Sequence, residues 1–166
     1  MASGLVSGLV LAAVTTASAQ TKFSGSMLCA KPDPSFIAPV GGPAGHVLAL
    51  TKYKCTWTQG EVAGIQAERE EGTGVLEMSG NAGREHGYAV ATWADGDTTV
   101  SRYEGSTTLK DNVPISSHGT WRLMSGTGRL KSIEGGGTST GKFNSDGTST
   151  FDIEGQYRLP TATAGK

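Results

Sequence analysis

The chain has 166 residues, a length that fits one domain. Its 25 glycines, plentiful Ser and Thr, and lack of long runs of strong helix formers beyond the N-terminus indicate an all-β domain with many tight turns. The net charge is −1 and the basic residues are scattered, so no positive stripe is available for a phosphate backbone, and a nucleic-acid partner is excluded at this level.

In chain order, residues 1–19 have the form of an export signal. An apolar run from Leu5 to Val14 precedes Ala17-Ser18-Ala19, the small-residue pattern of a cleavage site. The first four residues depart from it by carrying no Lys or Arg. The run is too short and too interrupted by glycine to span a bilayer. The mature chain is therefore expected to be secreted or periplasmic and free of the membrane. Residues 20–46 read as an N-terminal extension, with a short strand over 21–27. A loop over 31–45 follows, where Pro32, Pro34, Pro39 and Pro43 each remove a ladder donor. Cys29 and Cys55 are the two cysteines, and in an oxidising compartment an even count suggests a disulfide, with two buried thiols as the alternative. His46, His86 and His118 lie far apart and share no ligand spacing with a cysteine, so no metal is expected.

Residues 47–57 form a strand with Val47, Ala49, Tyr53, Cys55 and Trp57 on one face and Lys52, Lys54 and Thr56 on the other. A turn at Gln59-Gly60, a strand over 62–68 and a charged break at Glu68-Arg69-Glu70-Glu71-Gly72 follow. The next strand, 74–79, turns Leu76 and Met78 inward. Strands 87–93 and 98–109 are joined through Ala94-Asp95-Gly96-Asp97, the strongest hairpin signal in the chain. Pro114 opens a strand over 116–124 that carries Trp121 and Leu123 inward, and 127–133 is long enough for one helical turn. Strands 137–143 and 148–159 complete the set. The last sets Phe151, Ile153, Tyr157 and Leu159 against Asp152, Glu154, Gln156 and Arg158, with Gly155 on the apolar face. Residues 160–166 read as a frayed tail.

This makes eight strands over 47–159 with tight hairpins and no long crossover, which points to a single antiparallel eight-stranded β-barrel rather than a sandwich. Such a barrel is filled by side chains or holds one small ligand.

Met124-Ser125-Gly126-Thr127-Gly128-Arg129-Leu130, Gly135-Gly136-Gly137-Thr138, Asp146-Gly147 and Glu154-Gly155 together resemble the allene oxide cyclase barrel-like group, a calycin-like architecture. Cys55-Thr56-Trp57-Thr58, Gly87-Tyr88 and Gly96-Asp97 resemble small exported bacterial proteins of the same barrel type with no assigned activity. The resemblance covers about residues 47–159 and rests mainly on glycines, which report backbone geometry. It implies a barrel and, at most, an isomerase or cyclase activity. No catalytic residue of the plant cyclase can be carried onto a position here.

Local motifs add no chemistry. Gly136 to Lys142 comes close to a phosphate-binding loop, but Phe143 stands where a hydroxyl is needed. Gly137 to Gly141 spells a nucleophile elbow, yet no His follows Ser139. Arg102 and Glu104 share a face with Val100: if that face is interior they form an internal polar pair, and if Tyr103 points in they are solvated. The cost of burying charge favours the second. Tyr53, Trp57, Tyr88, Tyr103, Trp121 and Tyr157 are the candidates to line a ligand site, with core filling as the alternative. The leading expectation is an exported barrel binding a small hydrophobic ligand in its interior without a cofactor. A cyclase or isomerase for a flexible hydrophobic substrate, and a structural or interaction module, are the alternatives.

Overall fold

The computed structural model describes residues 20–42 and 45–160, with the side chains of Pro34 and Ser35 excepted. The export signal expected over 1–19 and all of the tail but Pro160 lie outside the described residues.

Nine strands and one helical turn follow one another: β1 (Thr21–Cys29), β2 (Asp33–Pro39), β3 (Val47–Val62), β4 (Ile65–Ser79), β5 (Ala82–Trp93), β6 (Thr98–Lys110), β7 (Val113–Gly126), the 3-10 turn η1 (Gly128–Leu130), β8 (Glu134–Phe143) and β9 (Ser149–Arg158). Strands β3 to β9 pair in sequence order. β1 pairs with β9 on one side and β3 on the other, which closes an eight-stranded antiparallel barrel. Closure leaves every barrel strand with two neighbours and removes the exposed edges of an open sheet.

The strand inventory differs from the sequence reading in three places. First, β1 is a full barrel strand, not part of an extension, and supplies the eighth stave. Second, the proline-rich segment is not all loop. β2 pairs with Val47 to Lys52 of β3 as an edge strand, where a missing donor can face outward. Third, the charged run at Glu68 to Gly72 does not break the chain. It lies inside the continuous strand β4, where the pairing with β5 shifts between Ala67 and Arg69. Such a bulge moves every later residue to the opposite face.

β1 and β2 run end to end along one edge of β3, pairing with Cys55 to Gly60 and Val47 to Lys52 respectively. Cys29 and Cys55 are register partners at the junction and form a disulfide. The expected helical turn is η1, which folds Leu130 completely out of solvent at the lower end, with Ile133, Val62, Ile65 and Trp93 in the same cluster. Asp97 holds this plug, accepting from the Arg129 amide at 2.7 Å and the Thr127 hydroxyl at 3.3 Å. The Tyr157 hydroxyl accepts from the Ala63 amide at 2.9 Å, tying the β3–β4 turn to the same end.

The disulfide fastens the seam that makes the sheet a barrel. In the chain-entropy model a loop of this size stabilises by roughly 3 kcal/mol. Replacing both cysteines by alanine should lower stability by about that amount in urea unfolding. An unchanged midpoint would show that the seam does not depend on the bond.

Candidate functional site

Inside the barrel lies a cavity of about 480 Å³. Its floor is the plugged lower end. Lys31, Pro32, Asn112, Pro114, Asn144 and Gly147 border it at the upper end, among the turns that follow β1, β6 and β8. The wall is mostly apolar and aromatic.

Large rings and glycines alternate around this wall. Tyr53 covers Gly72, and Tyr103 places its hydroxyl over Gly74 and Gly87. A Cβ on Gly25 would stand 2.6 Å from the Trp57 ring, one on Gly155 2.7 Å from Trp121, and one on Gly141 2.5 Å from Phe151. These glycines are interior positions kept empty so that a neighbouring ring can lie against backbone. The rings also meet edge to face: Phe23 with Trp57 and with Trp121, and Tyr53 with Tyr103, each at 6.0 Å between centroids.

Of the expected lining residues, Tyr53, Trp57, Tyr103, Trp121 and Tyr157 border the cavity together. Tyr88 does not. It is 56% exposed, because β5 turns its small residues Gly83, Gly87, Ala89 and Ala91 inward to clear the rings of adjacent strands. Arg102 and Glu104 are also outside, with side chains 49% and 67% exposed and 3.8 Å apart, so they are not an internal pair. Their strand alternates with Tyr103 inward, as the cost of burying charge requires.

Two carboxyls that sequence reasoning missed lie on the cavity wall, Glu70 from β4 and Glu85 from β5. Glu70 is buried, and desolvation pushes its carboxyl up to about 7 against an ordinary 4.5, with a hydrogen bond from Tyr53 pulling the other way. Burial likewise raises Glu85, opposed by the Thr107 hydroxyl, which donates to it at 3.4 Å. The Tyr53 and Tyr103 phenols hydrogen-bond one another, feel both carboxyls, and are pushed up chiefly by burial. Interior parity with Gly83 and Gly87 was the signal that could have located Glu85, and the bulge hid Glu70. Among the described residues no three His, Cys, Asp or Glu side chains group to hold a metal.

The arrangement offers an apolar chamber with a short polar line: Glu85, the two phenols, and Glu70. At neutral pH Glu70 is close to half protonated, so it can donate or accept.

No protein-family model and no curated protein matches the sequence. Among solved structures, the chain is similar to a protein of unknown function of the DUF3224 family from Shewanella oneidensis MR-1. The two share 15% identity over 85% of this chain and 99% of that one, with a TM-score of 0.52. Two pterocarpan synthase dirigent proteins also match at a TM-score of 0.44: one at 11% identity over 91% of this chain and 98% of its own, the other at 14% over 84% and 95%. At these identities the likeness concerns the barrel fold alone.

Two measurements test this wall. A Cβ on Gly137 would run into the Glu154 carbonyl and the Gly155 backbone, which cannot yield as a side chain can. Gly137→Ala should therefore destabilise by roughly 3 kcal/mol or more, and by more than Gly74→Ala, where the Tyr103 hydroxyl can swing aside. Equal costs in chemical denaturation would contradict the backbone contact. The second concerns pH. Because the folded Glu70 carboxyl titrates near 7 and an ordinary one near 4.5, the folded state holds a proton that the unfolded chain has lost between those values. Glu70's contribution is fully present below the lower value and declines by about 3 kcal/mol as pH rises through the upper one. Glu70→Gln should flatten that slope, and an unaltered slope would count against a buried Glu70.

Proposed function

We propose that the protein is a binding protein whose barrel interior takes one small apolar molecule of flat or elongated shape. The cavity carries this reading: about 480 Å³ of largely apolar, ring-lined space, bordered by turns at one end and plugged at the other. Eight-stranded barrels have room for one such ligand. The rings supply broad contact area, and the carboxyls and phenols supply orientation.

A second reading has its own observation. Glu70, close to half protonated at neutral pH in an apolar chamber beside Tyr53, has the properties of a general acid. That would suit a cyclase or isomerase acting on a flexible hydrophobic substrate, in keeping with the sequence resemblance to the allene oxide cyclase barrel-like group. Turnover abolished by Glu70→Gln with ligand affinity retained would favour this reading, and a ligand recovered unchanged would favour binding alone.

The Cys29–Cys55 disulfide is consistent with an oxidising compartment, and together with the reading of the apolar N-terminal sequence as an export signal it supports a secreted or periplasmic location.

Filling the chamber tests the reading directly. Ser101 borders the cavity between its register partners Ala89 and Leu123, so Ser101→Phe would project a ring into the void. In a thermal-shift screen against fatty acids, terpenoids and aromatic amines, the parent chain should gain stability with a subset of compounds and the variant should not. Full retention of those gains in a folded variant would place the ligand elsewhere.

A further inference from the structure

We infer that the ligand is a small apolar amine, held as its ammonium ion on the Glu70 carboxyl of the cavity wall. This rests on the interior being a ligand site and names the chemistry that site selects.

The titratable groups bordering the cavity are Lys31, Tyr53, Glu70, Glu85, Tyr103 and Tyr157. No His or Arg is among them. Lys31 is the one cation, and it stands at the rim with its stem over Gly147, where a Cβ would be 3.0 Å from the Lys31 chain. The ion pairs between described residues involve neither Glu70 nor Glu85. The chamber thus holds two acids and no base, in a setting where an uncompensated charge is expensive.

Three ligand classes respond differently. A fatty acid would bring a further carboxylate into a poorly hydrated space where burial already disfavours the ionised forms of Glu70 and Glu85. A neutral alcohol would gain the apolar contacts and at most a hydrogen bond to a carboxyl, without compensating its charge. An ammonium would pair with the Glu70 carboxyl while the neighbouring Tyr53 ring offers cation–π contact. The Glu70 carboxyl lies beside the Tyr53 phenol, whereas Glu85 stands six residues further along the β4–β5 pair, opposite Leu76. When a protonated Glu70 receives the ammonium, its carboxyl ionises and the proton passes to the buffer.

Isothermal titration calorimetry with the isosteric probes phenylbutylamine, phenylbutanol and phenylbutyrate separates these classes. Near neutral pH, phenylbutylamine should bind about tenfold tighter than the alcohol, and phenylbutyrate weaker than either. The amine's heat should vary with the ionisation enthalpy of the buffer, reporting proton release, while the alcohol's should not. Glu70→Gln should remove most of the amine preference, and Glu70→Asp, which keeps a shortened acid and stands in where the amide variant fails to fold, should reduce it; an undiminished preference in either overturns the assignment to Glu70. Equal amine and alcohol affinity, or a preference for phenylbutyrate, overturns the amine assignment and leaves the ligand site standing. Absence of heat from all three probes, in the parent as in Ser101→Phe, overturns the ligand site with it.

Discussion

The structure depends on aromatic rings lying against glycines of neighbouring strands. Tyr53 on Gly72, Tyr103 on Gly74 and Gly87, Trp57 on Gly25, Trp121 on Gly155 and Phe151 on Gly141 occupy space that any other residue's Cβ would claim. A ring pressed flat to the wall takes up less of the lumen than one pointing at the axis. The many glycines therefore serve the interior as well as the turns. They let large apolar surfaces be buried while a chamber remains, at the entropic cost that glycine carries in a strand.

That arrangement also explains how two carboxyls come to be inside. Glu70 faces the lumen because a bulge after Ala67 resets the strand's parity, and Glu85 because it alternates with Gly83 and Gly87. Neither is needed to fill volume, and burial works against the ionised form of both. Groups kept in so unfavourable a place, next to paired phenols, are where function is most economically sought.

Much of the fold was legible from side-chain alternation. The last strand's Phe151, Ile153, Tyr157 and Leu159 and the hairpin at Asp95-Gly96 were readable because period-two patterning and turn chemistry are local. Tyr88 was misplaced for an instructive reason. Its strand has two apolar faces, Tyr88 and Val90 against Ala89, Ala91 and Trp93, and hydrophobicity alone cannot choose between them. The volume needed by Tyr53 and Tyr103 on adjacent strands chooses, and that is a tertiary fact. Glu70 was hidden by a single inserted residue, and β2 by prolines that an edge strand tolerates. The disulfide pairing followed from composition, whereas its position at the barrel seam required the register.

The central claim is that rings shelved on glycines leave an empty apolar chamber inside a closed barrel. Diffraction from crystals of this protein pressurised with xenon examines that space without choosing a ligand, since dry apolar cavities take up the gas. The account predicts xenon density within the barrel beside Trp57 and Trp121. An interior filled by repacked side chains, with no xenon site between the strands, would contradict it.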